Sequence, residues 1–303
     1  IPPPSTINLV VTAESSTVTN GIGSGSGNGG RFGVDAFTGG GFDSLTLGGV
    51  VSFEGPVSVN ARGQLKVATD GFVYANSQVN LTASYAALGK SLETPTLPSE
   101  IVSPFGLSSI LPSTGAGSLN VTADLIELGT LSMQGIGSAH FAATGGDIRG
   151  NGTVQIAGNL TLTAGQIYPV SATSLSLIAY NPSGGQGKIQ VNSSGTRQLP
   201  LSAGGTLSLY ASVIEQNGTL RAPFGTINLG WDGTGKAPKD LIAGTATGTF
   251  PVTSQLILGS SSVTSVSAID PITGKPVVIP YGVSTDGENW IDPRGIDITA
   301  SGP

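Results

Sequence analysis

The chain has 303 residues, a net charge of −6 from 12 basic and 18 acidic residues, one His, one Met and no Cys. Without Cys there are no disulfides, thiolate metal sites or thiol catalysis, and without any Lys/Arg run there is no electrostatic footprint for nucleic acid or an anionic membrane. Only 10% of residues are charged, but 38% are hydrophobic and 47 are Gly, which suits a continuous narrow core rather than disorder.

Residues 1–30 begin with Ile1-Pro-Pro-Pro4, with neither initiator Met nor signal peptide, and read as the start of a processed piece of a longer protein. No segment reaches the roughly 18 apolar residues that a membrane-spanning helix needs. Ile7–Ala13 alternates as a strand, and Gly21–Gly30 is a Gly/Ser-rich tether. The G-x-G-x-x-G inside Gly25–Gly30 is a chance match, since no strand-to-helix context frames it.

Residues 31–83 carry short strands at Ser44–Leu47, Val50–Phe53, Val57–Val59, Gln64–Ala68, Phe72–Tyr74 and Val79–Ala83, and no window there is convincingly an amphipathic helix. Residues 84–116, punctuated by Pro95, Pro98, Pro104 and Pro112, read as a loop excursion.

Residues 117–230 hold the strongest signal. Gly117-Ser-Leu-Asn-Val-Thr-Ala123, Gly137-Ser-Ala-His-Phe-Ala-Ala143, Gly158-Asn-Leu-Thr-Leu-Thr-Ala164 and Gly205-Thr-Leu-Ser-Leu-Tyr-Ala211 nearly repeat one another, with a shortened fifth copy at Gly225–Leu229. Thr173–Ala179 fits as one more copy, and Lys188–Val191 reads as a strand within a longer excursion from Asn181 to Gly204. The apolar period is two, so Leu119/Val121, Ala139/Phe141, Leu160/Leu162, Leu207/Leu209 and Ile227/Leu229 are expected to stack in columns. A second strand follows at Ile126/Leu128, Ile148, Ile167 and Ile214, and a third at Leu131/Met133, Val154/Ile156 and Leu220/Ala222. Three short strands per repeat of about twenty residues predict an all-β chain: a right-handed parallel β-helix, or solenoid, with irregular ends and a loop excursion. Some ten coils at about 4.8 Å each would make a rod about 50 Å long. Residues 231–303 form an irregular C-terminal cap, with strands at Gln255–Leu258 and Val277–Ile279.

Few residues offer chemistry. Gly230-Trp-Asp-Gly-Thr-Gly235-Lys236 begins like a phosphate-binding loop, but Ala237 replaces the hydroxyl residue that would hold magnesium. His140 is expected to face outward, and no G-x-S-x-G elbow pairs it with a nucleophile. Asn80, Asn120, Asn151, Asn159, Asn192 and Asn217 lie in N-x-S/T triplets. They are read as Asn stacked on Asn or Thr between coils, with glycosylation as the alternative. Ten residues after each leading Gly stand Glu127, Asp147, Tyr168 and Glu215, which places Glu127 over Asp147 about 5 Å apart. Paired carboxylates at that spacing suit a retaining glycosidase or a calcium ion. The plainer reading is a solvated edge, with Asp147 screened by Arg149. Asp286, Glu288, Asp292 and Asp297 around Trp290 form either a sugar- or calcium-binding patch or a solvated cap. No catalytic, cofactor or metal set is assigned.

Taken together, Gly40–Gly48, Ser118–Leu128, Gly158–Pro169, Pro200–Leu209, Leu220–Leu229 and Gly259–Gly282 resemble filamentous haemagglutinin-type exoproteins of the two-partner secretion pathway, over residues 40–303. The resemblance implies a secreted bacterial surface protein, exported through an outer-membrane partner, whose β-helical shaft serves adhesion, aggregation or biofilm formation. A host or bacterial receptor or glycan would be its partner. The N-terminal secretion domain with its Asn-Pro-Asn motifs is absent from these residues, and no toxin domain is visible. The expected function is therefore a non-enzymatic structural rod, with a polysaccharide-active β-helix enzyme as the alternative. The strand near residues 6–13 either pairs with a neighbouring copy, building a head-to-tail filament, or covers its own first coil.

Overall fold

Alternating apolar side chains flanked by Gly corners give short strands, and parallel pairing of each strand with one a circuit earlier buries one face of all of them together. A computed structural model describes residues 9–15, 29–90, 111–180, 185–239, 250–270, 273–276, 283–284 and 290–291. Among these the fold is almost entirely β, in two large parallel sheets.

The eight-stranded sheet is one ladder. It stacks β3 (Leu45–Leu47), β6 (Gln64–Val67), β9 (Tyr85–Leu88), β11 (Leu125–Leu128), β13 (Asp147–Gly150), β16 (Gln166–Pro169), β21 (Thr219–Arg221) and β24 (Val263–Ser265). The sixteen-stranded sheet falls into two more ladders. The second stacks β5 (Val57–Asn60), β8 (Gln78–Thr82), β10 (Ser113–Ala123), the second half of β12 (Leu131–Ala143), β15 (Asn159–Ala164), β18 (Lys188–Ser193), β20 (Val213–Asn217) and β23 (Gln255–Leu258). The third stacks β2 (Gly30–Gly33), β1 (Leu9–Thr12), β4 (Val51–Phe53), β7 (Phe72–Ala75), the first half of β12, β14 (Gly152–Ile156), β17 (Ser174–Ala179), β19 (Thr206–Ala211) and β22 (Thr226–Leu229). In β12 the change of ladder falls at Gly135, whose φ of 70 makes the corner. A small antiparallel pair, β25 (Val283–Ser284) with β26 (Trp290–Ile291), stands apart.

The inward positions of all three ladders meet in one continuous core cluster running from Val11 to Leu220. Val79/Leu81, Leu119/Val121, Ala139/Phe141, Leu160/Leu162 and Ile189/Val191 lie over one another and are all buried. Each such Leu, Val or Phe contributes about 1.5–3 kcal/mol of transfer free energy. The leading Gly of the repeats has a steric reason. A Cβ on Gly158 would stand 2.0 Å from the Gly137 carbonyl oxygen, and one on Gly225 would stand 1.8 Å from that of Gly205.

Five expectations are corrected. The Gly205 and Gly225 repeats do not continue the Gly158 column. They belong to the third ladder, where Leu207/Leu209 lie between Leu175/Leu177 and Ile227/Leu229. Residues 194–205 add no strand to the first ladder, so β21 pairs directly with β16 at Leu220 and Ile167; the Thr173–Ala179 copy, β17, is itself already on the third ladder, paired with β14. Ile214 accordingly follows Ile189 in the second ladder rather than Ile167 in the first.

Lys188–Ser193 is a regular strand of the stack and not part of an excursion. The expected excursion 84–116 is narrower, because Tyr85–Leu88 and Ser113–Ala116 are both in strands; residues 91–110 lie outside the described residues. A helix is present too, α1 (Val34–Gly40), burying Val34 and Phe37. With seven residues it spans two turns, too short for a helical period to stand out.

The N-terminal strand pairs within its own chain. Its register runs Leu9, Val10 and Val11 against Val51, Ser52 and Phe53 on one side, and against Gly30, Arg31 and Phe32 on the other. Residues 16–28 of the tether, and Val277–Ile279, lie outside the described residues. No helix among the described residues is long and apolar enough to cross a membrane.

Candidate functional site

The chemistry-bearing side chains gather on the outward face of the first ladder. Alternation points Ile126/Leu128, Ile148 and Ile167 inward, which leaves Glu127, Asp147/Arg149 and Gln166/Tyr168 outward. Glu127 lies opposite Arg149, not Asp147, and Arg149 lies opposite Tyr168. The reason is a corner. One residue, Asp124, separates β10 from β11, whereas Thr144, Gly145 and Gly146 separate β12 from β13, so the following residues arrive two places late. The expected carboxylate pair is therefore replaced by an ion pair, and Glu215 sits on the second ladder beside Lys188, 2.7 Å away.

Glu127 is fully engaged. Arg149 Nε donates to Oε1 at 2.6 Å and Arg149 Nη2 to the same oxygen, while Tyr85 Oη donates to Oε2. Burial, reinforced by the Glu127 carboxylate, pushes the Tyr85 hydroxyl well up. Burial opposes the Arg149 charge, but its contacts with Glu127 outweigh that and hold the guanidinium charged.

Asp147 is half-buried and accepts from Gln166 Nε2 at 3.1 Å. Burial pushes its pKa up, against the opposing pull of Gln166, Tyr168, Arg149 and Arg197. The network is covered by residues 194–201. Gln166 Nε2 also donates to the Gln198 carbonyl at 2.6 Å, and Arg197 reaches Asp270 at 3.1 Å. Asp270 in turn pairs at 2.8 Å with Arg221, which is wholly buried.

Beside this network lies an open cleft of about 200 Å³, lined by Lys66, Thr69, Tyr85, Ala87, Glu127 and Gly129 among others. Tyr85, Lys66, Arg197, Arg221 and Asp270 escaped the sequence reading. Arg197 and Asp270 are 73 residues apart with no local signal, and Tyr-Ala-Ala-Leu at 85–88 has no apolar–polar alternation to mark it as a strand, although Tyr85 and Ala87 prove to be the outward residues of β9.

The remaining candidates are structural in their surroundings. His140 is exposed, with Nε2 3.2 Å from Thr163 Oγ1. Asn120 Nδ2 donates to Asn80 Oδ1 at 3.0 Å, and Asn192 lies opposite Asn217 across β18 and β20, giving the expected stacks of polar side chains between strands. Asn151 and Asn159 lie at the starts of β14 and β15. In the 230–236 loop Asp232 accepts from the Thr234 N–H and hydroxyl, each at 2.9 Å, so that N–H is already bonded to a carboxylate of the loop itself. Asp286, Glu288, Asp292, Asp297 and the Trp290 side chain lie outside the described residues. Among the described residues no group of three or more His, Asp or Glu could hold a metal ion.

Fold and site together define a mostly β protein of stacked parallel strands, with an ion-paired polar network on the outward face of its first ladder. Searches against protein-family models, curated proteins and solved structures find no match.

Proposed function

We propose that the chain winds as a right-handed parallel β-helix and serves as the rigid shaft of a secreted bacterial surface protein of the filamentous haemagglutinin type. In this reading it is not an enzyme. It is exported by an outer-membrane partner and presents a receptor- or glycan-binding rod for adhesion, aggregation or biofilm formation. The observation that carries the reading is the rotation of successive strands through three ladders, each strand pairing with one about a circuit earlier. Such stacking yields a stiff object whose length grows with the number of repeats. The outward Ser, Asn, Thr and Gln columns suit a surface exposed to solvent. Electron microscopy of the purified chain tests the shape, with rods about 4–5 nm long expected. Display on a non-adherent bacterium tests the role: unchanged settling and surface attachment would count against an adhesin.

The cleft beside Glu127 favours the second reading, a polysaccharide-active β-helix enzyme. It requires release of sugar from acidic or neutral polysaccharides that disappears in Glu127→Ala.

A further inference from the structure

The strand first in sequence is second in its ladder. β2 and β4 lie one circuit apart in the chain, yet they are not neighbours, because β1 is inserted between them, parallel to both. We propose that the layer between β2 and β4 is a strand-accepting slot, filled in one chain by its own β1, and that two copies meeting at these ends exchange β1 reciprocally to form a closed pair.

The slot offers both edges of a strand their partners. On one side Leu9 N–H donates to the Val50 carbonyl at 3.0 Å and Glu54 N–H to that of Val11 at 2.9 Å; on the other the full length of β1 pairs with β2. Val11 fills the core position and is wholly buried, while Thr12 Oγ1 reaches the Phe32 carbonyl at 3.5 Å. Beyond the strand, Asp35 N–H donates to the Ala13 carbonyl and Ser15 N–H to Asp35 Oδ1. These contacts need an extended segment with one apolar side chain at the right phase. They do not need that segment to belong to the same chain, because β1 is followed by residues 13–29 before the next strand, β2, begins.

A linker of seventeen residues with the Gly/Ser-rich composition of 13–29 reaches about 23 Å on average and gives an effective concentration on the order of millimolar. The chain therefore closes on itself when dilute, and exchange takes over where copies are crowded, as on a surface. Donor and slot lie at the same end of the molecule. Exchange is consequently isologous and stops at two copies, in contrast to the head-to-tail filament that is one of the two readings of the sequence. The proposal holds whether or not the chain is an adhesin.

Two experiments test it. A protease site placed within residues 21–29 of the full chain is cut after folding, and a fluorescent peptide of residues 1–20 is added in excess. Expected is incorporation of the peptide at one per chain, at least tenfold reduced when it carries Val11→Asp. No incorporation, or incorporation indifferent to Val11→Asp, overturns the slot. Deleting residues 21–29 leaves eight residues between Thr12 and Gly30, below the dozen or so that a crossover between parallel neighbours needs. Light scattering should then report twice the monomer mass. A monomer of unchanged melting temperature, or open polymers, overturns the closed pair.

Discussion

Glu127 and Arg149 face each other across the β11–β13 pair, with Arg149 Nε donating to Glu127 Oε1 at 2.6 Å, and Tyr85 completes the carboxylate's partners from β9. Three successive strands of the first ladder are thus tied together on their outward side by one acidic group. Its worth follows from its burial: the side chains are only 26% and 14% exposed, so the pair is partly protected from solvent screening. Glu127→Ala leaves a guanidinium and a phenol without their acceptor. It should lower stability by about 2 kcal/mol, read from the denaturant midpoint. Adding Arg149→Met should restore much of the loss, since no unpaired charge then remains.

Asp147 should behave in the opposite sense. Its folded pKa is raised by burial, so the folded state holds that proton more tightly than the unfolded chain does. The stability tied to this proton is present below the ordinary carboxylate range and is lost as pH rises through the raised folded pKa. Asp147→Asn keeps an acceptor for Gln166 and removes the buried charge. The variant should therefore melt higher than the parent at pH 7, and the two should converge near pH 3. A variant less stable at pH 7 would show that the contacts with Arg149 and Arg197 outweigh the burial.

Gly158 and Gly39 should respond in opposite directions to the same substitution. Gly158→Ala forces a methyl group against the Gly137 carbonyl and should cost about 1–3 kcal/mol. Gly39, within α1, has open space around its Cβ position, so Gly39→Ala should add about 0.5–1 kcal/mol. Thermal melts of the two variants decide.

The Asp35 carboxylate is held below its usual value by hydrogen bonds, first from the Ser15 hydroxyl and then from the Ser15 N–H. A depressed acid contributes its share of stability above the unfolded value, and the share is lost as pH falls through the folded one. Protection of the β1 amides against hydrogen exchange, taken relative to the intrinsic rate at each pH, should fall below about pH 4, ahead of that in β15, and Asp35→Asn should blunt that fall.

Much of the architecture was written locally. The period of two in Leu160/Leu162 and the Gly before it specify a strand and a tight layer wherever they occur, and all six copies became strands. Which ladder a copy joins is not local. Gly205–Ala211 reads like Gly158–Ala164, yet it stacks on Ser174–Ala179 in the third ladder, whereas Lys188–Ser193 stacks on Asn159–Ala164 in the second. The site failed for a smaller reason. Two extra corner residues, Gly145 and Gly146, preserve which face a side chain points to while changing the neighbour it meets, so Glu127 met Arg149. Residues brought in by outer segments, Arg197 and Asp270, carry no periodic signal at all.

The inserted position of β1 also fixes an order of events during synthesis or export. A ribosome or pore releasing the chain from its N-terminus delivers residues 9–12 before Val51–Phe53 has emerged, and until then β1 has only β2 to pair with. The layer of β1 is thus completed only once residue 53 is released, and a pause before it would leave one edge of β1 unpaired.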